Sequence, residues 1–164
     1  MASTRAAKVA PKAPRRTAPD ESYEGDFYEW SLAQARALRD RQPKALDWEN
    51  LAEEIESLGR SDKRQVRSRL QVILVHLLKW QLQIEHRSIS WRGTINTQRN
   101  DLEWVLEDSP SLRRMVPALL SEAYIRARRE AADEMDLIPA AARMIPQTCP
   151  FSAEQVLDPE FLPE

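Results

Sequence analysis

The residue types best suited to binding chemistry lie close together near the middle of the chain. A short stretch holds cations, an amide, an imidazole and an indole: Lys79, Gln83, His86, Arg87, Trp91 and Arg92. The first three stand at i, i+4 and i+7, so they share one face of a helix. Cations beside a stackable indole can bind a phosphate group or an unpaired base. The alternative is a polar connection with one buried tryptophan, which is favoured because the rest of the chain carries more acid than base.

A second set of residues could hold a metal ion. Glu49, Glu53 and Glu56 also stand at i, i+4 and i+7, and His76 could add a nitrogen ligand. A di-iron bundle, however, uses two Glu-x-x-His pairs, and neither His76 nor His86 follows a glutamate by three positions. Nearby basic residues offer the acidic edge ion-pair partners instead: Lys63, Arg64 and Arg67. We therefore expect no metal or other cofactor, with Glu53, Glu56 and His76 as the weak metal candidates.

Nucleophilic catalysis has little support in the sequence. His76 could act as a general base, but no serine, cysteine or aspartate stands at a triad spacing on the same helix. Cys149 is followed by Pro150 and is expected to be a buried structural thiol. Because no group of residues meets the requirements of an active site, we expect no catalytic residue, and an enzyme is the minority hypothesis.

The composition excludes several classes of protein. The 164 residues are 42% hydrophobic and 30% charged, which is typical of one soluble globular domain. Three glycines are too few for a glycine-rich phosphate-binding loop, and one cysteine excludes an internal disulfide and a multi-cysteine zinc site. The longest uninterrupted apolar run, residues 72–75, is far too short to span a membrane. We expect a cytoplasmic protein that does not insert into membranes.

The N-terminal residues 1–22 differ from the remainder in charge and composition. Residues 1–19 contain five basic and no acidic side chains, together with three prolines. Such a segment cannot bury enough surface to fold, so we expect a disordered tail followed by a single helical domain over residues 23–164. The tail could be a basic arm that touches nucleic acid or an anionic membrane, or it could be a solubilising extension.

Two short helices are predicted first. One begins at Asp26, where Glu29 completes a capping box, and ends before Pro43. Its predicted buried side chains are Phe27, Trp30, Ala37 and Leu38. The next begins at Asp47, has apolar residues at positions 48, 51, 55 and 58, and is predicted to end at Gly59.

A long third helix, capped by Ser61, is predicted to carry the core. Apolar residues at positions 66, 70, 73, 77, 80 and 84 form a heptad seam, with Leu74 and Leu78 beside it. Val72 and Val75 point away from this seam, so the helix is buried on several sides or meets a second protein. Trp104 similarly points away from the core stripe of the next helix. Val72, Val75 and Trp104 are therefore the predicted interface residues, unless the C-terminal segment covers them.

The remaining elements complete an all-α fold. A fourth helix is predicted over residues 91–107, with Trp91, Ile95, Leu102 and Leu106 in the core. A fifth begins near Ser109 and Pro110 and is kinked or restarted at Pro117. Five prolines in residues 139–164 predict an irregular strap with one turn at residues 152–157. Together these patterns predict an antiparallel four- to five-helix bundle with a proline-rich C-terminal strap and a disordered basic N-terminal tail.

Five ordered motifs resemble a known bacterial family. The longest is DWENLAEEIESLG at residues 47–59. The others are HLLKWQ at 76–81, SWR at 90–92, EDSPSL at 107–112 and the closing segments within 149–163. Over residues 26–163 the chain is similar to the bacterial domain of unknown function family 29. The resemblance implies an all-helical fold and a bacterial origin, and it implies no activity, ligand or catalytic residue.

Three functional hypotheses follow from the sequence. The first is a protein-interaction or self-assembly module, with a partner protein or a second copy bound through the helix that carries the core. The second is a nucleic-acid or anion-binding protein that uses residues 79–92 and the basic tail. The third is a metal-dependent enzyme with carboxylate and histidine ligands. The absence of any complete catalytic group favours the first.

Overall fold

A computed structural model describes residues 22–164, so the predicted basic tail lies almost entirely outside the described residues. The predicted all-α fold is confirmed: residues 22–164 form seven α-helices and two short 3₁₀-helices, without a strand among them. The chain divides into two compact units, one up to Glu54 and one over Ile55–Glu164. The grouping of residues 23–164 into a single domain remains a prediction.

The first unit contains helix α1 (Phe27–Arg39), a 3₁₀-helix (Pro43–Ala45) and the beginning of α2 (Trp48–Leu82). Asp26 caps α1 as predicted, because its Oδ1 accepts a hydrogen bond from the Glu29 amide. Trp30 and Ala37 are buried as predicted, but Phe27 and Leu38 are about half exposed. Phe27 does pack against Trp30, with ring centroids 5.5 Å apart, and leaves its other side exposed.

Helix α2 is a single helix of 35 residues, so the predicted end at Gly59 and the predicted cap at Ser61 are wrong. Glycine ends a helix by adopting a left-handed conformation, and Gly59 does not have a positive φ. A glycine inside a helix costs only about 1 kcal/mol relative to alanine, which the surrounding helix-forming residues outweigh. Neither α2 nor any other helix of residues 22–164 has an apolar stretch that could cross a membrane.

The core of the second unit forms around α2. Val66, Leu70, Ile73 and Leu77 of the predicted seam are fully buried, whereas Trp80 is half-buried and Ile84 is exposed. Ile84 is exposed because α2 ends at Leu82, so the seam stops one turn earlier than predicted. Leu74, Val75 and Leu78 are also buried, which confirms that this helix is covered on several sides.

Helices α3 (Ile89–Asp108), α4 (Pro110–Arg113) and α5 (Val116–Glu134) follow α2. The prediction that Pro117 restarts the fifth helix is confirmed, because it lies in the first turn of α5. Ion pairs between the helices show how they run. Arg69–Asp101 joins α2 to α3, while Arg67–Glu122 and Lys79–Glu134 join α2 to α5. Later residues of α2 contact later residues of α5, so these two helices run parallel. Later residues of α2 contact earlier residues of α3, so α3 runs antiparallel to α2.

The proline-rich C-terminal strap packs on this core. It contains α6 (Pro139–Ala142), which was not predicted, and α7 (Ala153–Leu157), which matches the predicted turn. Ser152 and Gln155 form a reciprocal capping box at the start of α7. Phe151 and Val156 are buried, and Phe161 and Leu162 pack against the core.

Candidate functional site

Lys79 does not present its charge at the surface, although it was predicted to be a binding residue. It is only 8% exposed, and its Nζ lies 2.6 Å from Oε2 of Glu134 on α5. The same ammonium lies 4.5 Å from the centre of the Trp91 ring. A cation that already has a carboxylate and an aromatic face as partners is not free to bind a phosphate. The predicted pairing of Lys79 with Trp91 is therefore an internal contact between helices.

The other members of the predicted cluster are divided between internal and surface positions. Arg87 is half-buried; its Nε donates to the Trp80 carbonyl at 2.8 Å, and its guanidinium lies 5.4 Å from the Trp80 ring centre. Gln83 is half-buried, whereas His86 and Arg92 are exposed. The cluster therefore does not form one surface site. Lys79 and Arg87 make internal contacts with the rings of Trp91 and Trp80.

The weak metal candidates are not brought together. Glu56 pairs with Arg60 at 3.1 Å on the surface of α2. His76 lies 20 residues further along the same helix, about 30 Å away at 1.5 Å per residue. Its Nδ1 is 3.0 Å from the Val72 carbonyl, and Glu53 belongs to the first unit. Across residues 22–164 no three histidine, cysteine or acidic side chains converge as metal ligands would.

The predicted interface residues have three different environments. Val75 is 1% exposed and belongs to the core, so its proposed role as an outward-facing interface residue is wrong. The burial arises because α2 is covered on several sides, as described above. Val72 is half-buried, and Trp104 is 65% exposed. Of these three residues, only Trp104 therefore presents a large apolar surface.

The apolar face that the sequence indicated at the beginning of α2 is exposed in the structure. Ile55 and Leu58 are 67% and 68% exposed. Asp62 and Arg69 lie on nearly the same face of α2, four and eleven residues after Leu58. Those two residues contact the end of α3: Ser109 Oγ donates to Asp62 at 3.4 Å, and Arg69 pairs with Asp101 at 2.7 Å.

This face continues beyond the helix that covers it. Because α3 ends at Asp108, no described part of α3 remains to pack over Ile55 and Leu58. Trp104, four residues before the end of α3, is also exposed. We call Ile55, Leu58 and Trp104 the apolar end of the α2–α3 pair. The spacing of positions 55 and 58 indicated an apolar face, but it could not show that its packing partner is too short.

A separate polar cavity of about 630 Å³ lies in the first unit. Its lining residues come from the segment before α1, from α1 itself and from the start of α2: Ser22, Tyr23, Glu24, Trp30, Gln34, Asp47, Asn50 and Glu53. The Tyr23 hydroxyl donates to Glu54 Oε1 at 2.5 Å, and this hydrogen bond is the main reason that the pKa of Tyr23 rises to about 12. Nearby carboxylates, including Glu53 and Asp47, raise it further.

Asp47 is held at the edge of this cavity by hydrogen bonds. Its Oδ2 accepts from Asn50 Nδ2 at 2.7 Å, which is the main cause of a lowered pKa, and its amide donates to Gln34 Oε1 at 2.8 Å. The Trp30 indole N–H also favours the ionised carboxylate, yet it is buried and makes no hydrogen bond of normal length and angle. No sequence pattern indicates this cavity, because its lining residues are scattered over two helices and the segments that precede them.

Arg99 is a buried residue that the sequence analysis missed. It is 4% exposed, and its guanidinium donates to four carbonyls of the C-terminal strap at 2.9–3.3 Å: Val156, Pro159, Gln155 and Phe161. Burial lowers the pKa of this guanidinium, while Asp158 and Glu160 act in the opposite direction. A signal did exist, because Arg99 occupies the core stripe between Ile95 and Leu102. Arg99 therefore fixes the strap to α3.

Cys149 is a half-buried thiol with a structural contact. Its Sγ donates weakly to the Phe151 carbonyl at 3.3 Å. Burial raises the pKa of the thiol, which lowers the fraction present as the nucleophilic thiolate. These observations agree with the predicted structural thiol and give no support to a nucleophile.

Comparison with known proteins identifies the family. No curated protein and no solved structure matches the chain. The family model described as "Domain of unknown function DUF29" matches residues 22–162, which include helices α1 to α7. This match covers the whole described part of the chain apart from its last two residues. The chain therefore belongs to the family Domain of unknown function DUF29.

Proposed function

We propose that this protein is a self-assembling interaction module, and that two copies bind each other through the apolar end of the α2–α3 pair. The main support is the exposure of Ile55 and Leu58 on a face of α2 that elsewhere packs against α3. Large exposed apolar side chains that lie together are typical of surfaces that meet another protein.

A second copy supplies a suitable partner surface. In a two-fold contact each copy contributes the same residues, so the apolar end of one chain can bury that of the other. Trp104 adds an aromatic side chain, a type enriched in the centres of interfaces. The Arg69–Asp101 ion pair joins the two helices that carry these residues.

Sedimentation velocity of the full chain over a wide concentration range tests this proposal. We expect the wild type to form dimers as concentration rises, and Ile55→Glu to remain monomeric because a buried carboxylate would lack a partner. Ile125→Glu is the matched control, since Ile125 on α5 is 59% exposed and lies outside the apolar end. A wild type that stays monomeric throughout, or an equal loss in both variants, would contradict the proposal.

A further inference from the structure

A basic cavity of about 310 Å³ lies between the last two turns of α5 and the short helix α6. Its charged lining residues are three arginines and one aspartate: Arg128, Arg129, Arg143 and Asp133. The remaining lining residues are two alanines and a proline, so the cavity has a net charge of +2 beside a small apolar wall. Such a concave surface is suited to an anion that carries an organic portion.

No acidic side chain neutralises these three guanidinium groups. Within residues 22–164 none of Arg128, Arg129 and Arg143 forms an ion pair. Asp133 lies four residues after Arg129, a spacing that allows ion pairs along a helix, yet the two side chains do not pair. Like charges that share a cavity repel one another, and a bound anion would relieve this repulsion.

Arg128 is held in place by the segment that forms the opposite wall of the cavity. Its Nε donates to the Ile145 carbonyl at 3.1 Å, and its Nη2 donates to the Ala142 carbonyl at 3.4 Å. Its Nη1 makes no hydrogen bond to any residue of 22–164. The guanidinium is therefore oriented by the fold and retains free donors, which lowers the entropic cost of binding an anion.

We propose that this cavity binds a small phosphate monoester. At pH 7 a phosphate monoester carries about two negative charges and has three oxygens that accept strong hydrogen bonds. A carboxylate has one charge and is satisfied by a single guanidinium fork, so a group of three arginines favours the phosphate. The volume of about 310 Å³ is at the lower end for ligand cavities, so the organic portion is small and contacts the apolar wall.

This site is separate from the apolar end of the α2–α3 pair. Glu134, which follows Asp133, pairs with Lys79 in the last turn of α2. Ile55 and Leu58 lie near the beginning of the same helix. Phosphate binding and self-association therefore concern opposite ends of α2, and the two proposals can fail separately.

A titration of the full chain with phenyl phosphate tests the proposal, at a pH well above the second phosphate pKa of about 6. Phenyl sulfate is the control probe, because it has the same ring and only one negative charge. The readout is the Nε–H signal of Arg128 in proton–nitrogen NMR spectra, assigned through bonds from its own backbone. We expect phenyl phosphate to shift this signal, and phenyl sulfate to bind at least about threefold more weakly.

Two substitutions locate the site. Arg129 and Arg143 are exposed, and neither side chain makes a hydrogen bond or ion pair within residues 22–164, so Arg129→Gln and Arg143→Gln should fold normally. Each should weaken phenyl phosphate binding about three- to tenfold, as expected for charge-assisted contacts near solvent. Arg126→Gln is the matched control, because Arg126 is an exposed arginine of α5 that does not line the cavity.

Asp133→Asn should have the opposite effect. This substitution removes the one negative charge that lines the cavity, so phenyl phosphate should bind about two- to fivefold more tightly. A residue that only supported the fold would not raise the affinity when it was replaced.

The pattern of outcomes decides the proposal. Binding that is weakened in Arg129→Gln and Arg143→Gln, and retained in Arg126→Gln, supports a phosphate site in this cavity. The proposal is overturned if phenyl phosphate leaves the Arg128 signal unmoved, or if phenyl sulfate binds as tightly as phenyl phosphate. It is also overturned if Arg126→Gln weakens binding as much as Arg129→Gln.

Discussion

At the scale of single residues, hydropathy predicts which positions are buried better than it predicts what a buried residue does. The core positions Ile95, Leu102 and Leu106 were predicted from spacing and are fully buried. Arg99 lies on the same stripe, and its burial depends on carbonyl acceptors that come from more than 50 residues later in the chain. No local pattern can indicate that these acceptors will be there, so the role of Arg99 was not predictable.

The first prediction concerns this arginine. We expect Arg99→Lys to destabilise the protein by about 2–4 kcal/mol, because an ammonium keeps the charge but cannot reach four carbonyls in the fixed geometry of a guanidinium. Urea unfolding measures the change. Arg92→Lys on the exposed side of α3 should leave stability nearly unchanged, and an equal effect of both substitutions would show that Arg99 does not hold the strap.

The second prediction concerns Lys79. Lys79→Ala should lower the free energy of unfolding by about 1–3 kcal/mol, because it removes the ion pair with Glu134, the contact with the Trp91 ring and the packed side-chain stem. Thermal unfolding of this variant and of Arg92→Ala measures the difference. If Arg92→Ala were the more damaging of the two, the assignment of Lys79 to the interior would be wrong.

At the scale of helices, the structure differs from the prediction mainly in where elements end. The sequence predicted two helices meeting at Gly59, and the structure contains one continuous helix, Trp48–Leu82. A glycine can end a helix or simply weaken it, and the surrounding packing decides between these outcomes. By contrast, Ser152 was correctly placed at the start of a helical turn, because a side-chain cap is a local interaction.

The third prediction follows from the continuity of α2. Gly59→Ala should stabilise the monomer by about 0.5–1 kcal/mol, because alanine has the higher helix propensity and a Cβ at this position meets nothing within 4 Å. Urea unfolding measures the gain. Gly93→Ala in α3 is the matched comparison, since its surroundings are equally open. A loss of stability for Gly59→Ala alone would mean that α2 bends or breaks at this point.

At the scale of the whole molecule, the fold was predictable and the sites were not. The all-α architecture, the buried seam of α2 and the C-terminal strap follow from periodicity and proline content, which are local properties. Within the predicted binding cluster at residues 79–92, Lys79 pairs with Glu134 of a helix that lies far along the chain, which no local pattern could indicate. The apolar end and the polar cavity depend on helix lengths and on long-range packing. Neither can be read from spacing along one segment.

Self-association through the apolar end also has a consequence for the whole molecule. Burial of apolar surface is strengthened or unchanged by added salt, whereas ion-pair contacts are screened. Association through Ile55, Leu58 and Trp104 should therefore persist at high salt.

The most direct test of self-assembly is hydrogen–deuterium exchange of the full chain at low and high protein concentration, read by mass spectrometry. Peptides that cover residues 53–62 and the last turn of α3 should exchange more slowly at high concentration, because these backbone segments become buried in the contact. Peptides from the middle of α5, which carries Ile125, should exchange at the same rate at both concentrations. Unchanged exchange at residues 53–62, or slowing confined to other helices, would contradict the proposed role of the apolar end.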